Sequence, residues 1–108
     1  MSRKGKVYNF TEFAGIIEET DEGKYLFKYD EAYLNSDKPY PISLTLPLRK
    51  EIYESKNLFP FFDGLIPEGW LLSLSVKHWK LNPRDRMGLL LSICEDCIGA
   101  VKVIPYAK

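Results

Sequence analysis

The chain is poor in the residues that most often carry chemistry. Its 108 residues include one histidine and two cysteines, and its fifteen basic and fifteen acidic residues leave no net charge. Zero net charge speaks against phosphate binding, because non-specific nucleic-acid affinity needs several uncompensated lysines or arginines. The one basic-leaning stretch, SRKGK at residues 2–6, reads as a solvated terminal tail. No apolar run approaches the roughly 20 residues of a membrane span, and the chain start lacks the apolar stretch of a signal peptide. A cytoplasmic location without membrane contact is therefore expected.

The motifs of common enzyme classes are missing too. There is neither a G-x-x-x-x-G-K-[ST] nor a G-x-G-x-x-G phosphate loop. His78, in VKHWK, has no serine or cysteine at a recognisable elbow beside it and reads as a surface or boundary residue. Cys94 and Cys97 form a single C-x-x-C pair. That supplies two metal ligands where a structural zinc site needs four. The pair also lies between a helix end and a strand, not at the helix start that stabilises a redox thiolate. Asp63, Glu68, Glu95 and Asp96 lie near glycines, where carboxylates ordinarily satisfy turn amides. No catalytic residue, metal or cofactor is expected.

What is present is a folding pattern for one domain spanning residues 1–108, a common domain size. KVYNF (6–10) and FAGIIEE (13–19) carry strand-forming residues, and ETDEGK (19–24) is a turn. In KYLFKYD (24–30), Tyr25, Phe27 and Tyr29 alternate with Lys24, Leu26 and Lys28, which predicts a hairpin with one solvated face. Residues 31–40 suggest a loop holding one helical turn. PISLTLPL (41–48) alternates again, with Ile42, Leu44 and Leu46 against Ser43 and Thr45, and its prolines predict an edge or peripheral strand. RKEIYESKN (49–57) reads as a surface connection, and NLFPFFDGL as a short helical turn. Pro67 suits the first position of a helix reaching Leu81. Asn82, Pro83 and Asp85 suit the N-cap, N1 and N3 positions of a second helix through residues 87–94. IGAVKVIPY (98–106) predicts a closing strand. The order implies an α+β fold, a small, mostly antiparallel sheet with two or three helices inserted before the last strand.

Trp70, in LIPEGW, stands out by its helical position. At about 100° per residue, Leu72, Val76 and Trp79 form one stripe, and Trp70 falls roughly opposite, beside Ser73, Leu74 and Lys77. A stripe packed on the sheet turns Trp70 outward. The bland alternative folds Trp70 back over Phe61 or Phe62. An exposed apolar patch commonly marks a partner surface, and tryptophan is enriched among interface hot spots.

Several of these pieces together resemble a known family. FKYD (27–30), YL (33–34), PISLTLPL (41–48), PFFDGLIPEGW (60–70) and EDCIGAV (95–101) match, in order and spacing, the amino-terminal subdomain of HipA-type toxin kinases. The match runs from about Val7 to Val103, with Gly64 where that family often has asparagine and Cys94 where it often has glycine. In those kinases a much larger catalytic body follows, and none of its motifs is present here. The resemblance implies a non-enzymatic HipS-like antitoxin of a tripartite HipB–HipS–HipT toxin–antitoxin system. Such a protein binds a separately encoded HipT-like serine/threonine kinase, alongside a HipB-like helix-turn-helix DNA-binding protein reached through the complex. The implied docking surface comprises Pro67, Glu68, Gly69, Trp70, Leu74 and Lys77, with Phe62 and Asp63 preceding it, and Trp70 is the expected anchor. The alternatives are an accessory module of the DNA-binding complex and an excised, non-catalytic kinase fragment.

Overall fold

In the computed structural model, residues 3–66, 85–93 and 101–106 are described. Five strands form one antiparallel sheet: β1 (Arg3–Asn9), β2 (Glu12–Glu19), β3 (Tyr25–Tyr29), β4 (Tyr53–Ser55) and β5 (Val101–Pro105), in the spatial order β4-β3-β2-β1-β5. Among the described residues three helices accompany them: α1 (Glu31–Leu34), α2 (Pro60–Asp63) and α3 (Arg86–Ile93). The α+β class and the return of the last strand to the sheet are as the sequence predicts. β5 lies against β1, so the two ends of the described chain meet in one ladder.

Alternation sorts the sheet into two faces. Val7, Ala14, Ile17, Phe27, Tyr29, Val101 and Val103 are buried on one face, with Phe62, Met87, Leu89 and Leu90 packed over them. Phe27 sits at the centre, its ring 4.9 Å from Tyr29 and 5.4 Å from Phe62. β2 carries an irregularity in its register with β1 between Val7 and Tyr8. Gly15 lies at that point, and a Cβ there would stand 2.3 Å from the Lys28 carbonyl oxygen, a contact only glycine avoids.

Three expectations are corrected. SRKGK is no loose tail, because Arg3 to Lys6 already belong to β1, with Arg3 opposite Glu19 and Lys4 opposite Glu18. Opposite charges across the ladder and a far partner in Asp85 hold the segment down. PISLTLPL forms no edge strand. Ser43 and Leu46 make an isolated bridge around a tight turn, in which the Ser43 hydroxyl accepts from the Thr45 amide and contacts the Thr45 hydroxyl. Serine and threonine offer the backbone such local bonds in competition with a ladder. Ile42 and Leu46 are buried as the turn's flanks, whereas Leu44 at its tip is 95% exposed. The edge of the sheet is instead β4, inside the supposed surface connection, where Tyr53 pairs with Phe27.

Candidate partner-binding site

Of the expected docking residues, Pro67, Glu68, Gly69, Trp70, Leu74 and Lys77 lie outside the described residues, as do His78, Asn82, Pro83, Cys94, Glu95, Asp96 and Cys97. Phe62 and Asp63 are described, and they part company. Phe62 is wholly buried, with Phe27, Phe59 and Phe61 around its ring at 5.3–6.2 Å. It is a core residue and offers no surface to a partner, which corrects its place in the expected set. Alternation around P-F-F-D does not say which of two adjacent phenylalanines turns inward. Asp63 is half-exposed and holds Arg86, with the Arg86 Nε–H donating to Asp63 Oδ1 at 2.5 Å.

That ion pair has a positional consequence. Asp63 closes α2, and Arg86 opens α3, so one contact bridges the two ends of the 67–84 segment that carries Trp70. On the entry side, the Leu65 and Ile66 amides donate to the Phe62 and Asp63 carbonyls, and Ile66 is buried. Ile66, the last described residue before that segment, is thus packed and hydrogen-bonded.

The exit side is anchored more strongly. Asp85 precedes the first residue of α3, and its carboxylate accepts from the Gly88 amide while its carbonyl accepts from the Leu89 amide. These are the bonds of a helix cap, so Asp85 is the N-cap of α3 and not the third helical residue expected from Asn82-Pro83. Gly88 makes room for it, since a Cβ there would stand 2.4 Å from Asp85 Oδ2. The same carboxylate accepts a two-pronged pair from Arg3 at 2.8 and 2.7 Å. Arg3 Nε–H donates to Glu19 at 2.7 Å, and the Tyr25 hydroxyl donates to Glu19 at 3.1 Å. The chain Tyr25–Glu19–Arg3–Asp85 thus fastens the start of α3 to three strands. Hydrogen bonding from Arg3 holds the Asp85 carboxyl below the usual carboxylate range, and the same bond raises the Arg3 guanidinium. Burial, then the Glu19 hydrogen bond, pushes Tyr25 up.

Sequence reasoning misses this network because its central pair, Arg3 and Asp85, is 82 residues apart. The only signals are a capping-type carboxylate before a helix and a basic residue in the first strand.

Beside the Asp63–Arg86 pair lies an open cleft of about 600 Å³, lined by Tyr25, Lys56, Asn57, Leu58 and Pro60 with that pair at its rim. Among the described residues, no three histidine, cysteine or carboxylate side chains gather where they could hold a metal ion. No described helix is long and apolar enough to cross a membrane. The described part of the site is thus two ion pairs, Asp63–Arg86 and Arg3–Asp85, beside an open cleft.

Comparison with known proteins agrees with this architecture. A 35% identical protein of Haemophilus influenzae, described only as uncharacterized, aligns over 94% of this chain and 91% of its own length. A putative kinase of Sinorhizobium fredii, Y4mE, is 30% identical over 84% of this chain, which spans only 22% of that kinase. Among solved structures, the N-terminal domain of HipA toxin superimposes with a TM-score of 0.72 at 33% identity, covering 98% of this chain and 94% of that one. The family model described as HipA N-terminal domain matches residues 5–104, and the chain belongs to that family.

Proposed function

We propose that this protein is an antitoxin that binds a separately encoded HipA-like serine/threonine kinase and neutralises it. In this reading it has no enzymatic activity of its own. The observation that carries the reading is the extent of the match: the N-terminal domain family accounts for residues 5–104, while the same segment is about a fifth of the relative named as a putative kinase. A domain that accompanies a kinase body in larger relatives is suited to bind such a body when the two are made apart. The relative of comparable length in Haemophilus influenzae supports a small protein of this kind.

The geometry supports docking through the 67–84 segment. The described residues that flank it are held by the Asp63–Arg86 and Arg3–Asp85 pairs, and a preorganised flank reduces the cost that binding must overcome. Trp70 is the anchor, with Pro67, Glu68, Gly69, Leu74 and Lys77 around it, and inhibition is steric, near the kinase active site. A helix-turn-helix DNA-binding protein is reached through the same complex.

The test is co-expression of a HipA-like kinase lacking this domain with the wild-type protein or with Trp70→Ala. Wild type should restore growth and co-purify with the kinase, and Trp70→Ala should do neither while remaining folded. A folded Trp70→Ala that binds and rescues as well as wild type removes the anchor assignment. A wild-type protein that never binds the kinase removes the antitoxin role.

A further inference from the structure

The face of the sheet turned away from the core is not an ordinary polar surface, and its oddest residue is Phe10. Phe10 and Thr11 form the two-residue loop joining β1 to β2, and Phe10 has φ +57°, the only positive φ among the described non-glycine residues. Two-residue hairpins place glycine, asparagine or aspartate at such a position. A bulky aromatic there is a backbone outlier, and outliers kept against their cost point to function. Phe10 is also 72% exposed, so packing within the domain does not account for it.

The surface continues from the hairpin onto the sheet. Register places Lys102, Tyr8 and Phe13 in one row across β5, β1 and β2, and Ile104, Lys6, Ile16 and Lys28 in the next. The Tyr8 and Phe13 rings are 5.6 Å apart, and neither ring is fully buried. Neither row contains a carboxylate. Glu18 lies one row further on, opposite Lys4, and Glu54 pairs with Lys24 at 3.3 Å. Lys28 shares a shallow depression with Asp30 and Glu31, so among the described residues of these rows the basic charge away from carboxylates rests on Lys6, whose ammonium lies 5.2 Å over the Tyr106 ring, and on Lys102. The neutral chain thus carries a local apolar strip with a basic border.

We infer that this hairpin-end face is a second contact surface for the kinase, received by an apolar patch on the kinase bordered by carboxylates. Charge complementarity selects that occupant over a second copy of this chain, whose own lysines would repel, and two lysines are too few for a nucleic-acid strand. The inference rests on the antitoxin reading and adds a surface to it. Phe10 enters the partner's apolar patch, and its fixed turn keeps the ring projecting at little ordering cost.

The experiment measures affinity of the purified kinase for wild type, Phe10→Asn and the double variant Lys6→Glu/Lys102→Glu, by calorimetry at low salt and at 0.5 M NaCl. Asparagine tolerates the loop backbone, so folding is not at issue, and the two lysines are surface residues. Phe10→Asn should weaken binding about tenfold or more at either salt concentration. The charge reversal should weaken it about tenfold at low salt and much less at high salt. If wild type binds and both variants bind equally well, this surface assignment is wrong and the antitoxin reading stands. If wild type does not bind, both fall. Sedimentation of the domain alone and anisotropy of a labelled 20-nucleotide single strand complete the set. A Phe10-dependent change in either assigns the face to self-association or nucleic acid and overturns the inference.

Discussion

Tyr29 uses one hydroxyl in both of its roles: it donates to the Leu46 carbonyl and accepts from the Ile42 amide. Those two groups are the flanks of the 42–46 turn, so a single buried side chain seats the turn on the sheet. Tyr29→Phe leaves both backbone groups without this partner, and a buried unsatisfied group costs about 1–3 kcal/mol. The urea midpoint should fall accordingly, whereas Leu44→Ala, at the exposed tip of the same turn, should change stability by less than about 0.5 kcal/mol. Burial pushes the Tyr29 phenol up to about 12. The folded state therefore favours the neutral phenol, a contribution present below the ordinary tyrosine pKa of about 10 and lost as pH rises from there through 12. An alkaline unfolding limb in that window, shallower in Tyr29→Phe than in wild type, would show it. Phe10 makes the opposite case. A non-glycine residue in the left-handed region costs roughly 1–2 kcal/mol, so Phe10→Asn should raise the urea midpoint even as it weakens partner binding. A variant that lost both stability and binding would mark Phe10 as structural.

At the scale of elements, β1 to β3 are legible in outline because strand-forming residues at 6–10 and 13–19, a glycine-ended turn and alternation at 24–30 coincide, whereas the start of β1 at Arg3 is set by its cross-strand partners. The 41–48 segment shows where that signal fails. Ile42 and Leu46 are both buried because they flank a turn, and the spacing of two buried residues cannot separate a turn's flanks from a strand's face. β4 is missed for a related reason: three residues are too few to show a period, and its place is set by β3. The α3 start depends on Asp85 serving Arg3 and two α3 amides together. Because Asp85 is held below its ordinary pKa, its contribution is present above about pH 3.9 and is lost as pH falls below that value. The pair is about a third exposed, so it should behave as a good surface ion pair of about 1 kcal/mol. Asp85→Asn should lower the unfolding free energy at pH 7 by about that amount, read from urea denaturation. It should also flatten the acid limb of the stability profile. An unchanged limb would mean that other carboxylates govern acid unfolding.

At the scale of the whole molecule, the expected site is a segment whose supports are visible while its anchor lies outside the described residues. Two roles for Trp70 then compete: a contact made only with the kinase, or a side chain packed into the domain. They differ in which state each stabilises, and linkage separates them without any image of the complex. A ligand that binds only the folded domain raises its stability by RT ln(1 + [L]/Kd), about 2.7 kcal/mol at a hundredfold excess over Kd. Wild type should therefore unfold at a higher temperature when the kinase is added, in a transition followed through a dye on the small domain. If Trp70 is the anchor, Trp70→Ala alone unfolds where wild type does, and kinase no longer shifts it. If Trp70 is a core residue, the free variant is already weaker by about 3–5 kcal/mol, the range for emptying a large aromatic site. In that event, whatever kinase binding the folded fraction retains should still raise its midpoint. The first pattern ties inhibition to one side chain on a segment flanked by the Asp63–Arg86 and Arg3–Asp85 pairs. The second pattern moves the contact elsewhere, and the hairpin end around Phe10 is then the place to look.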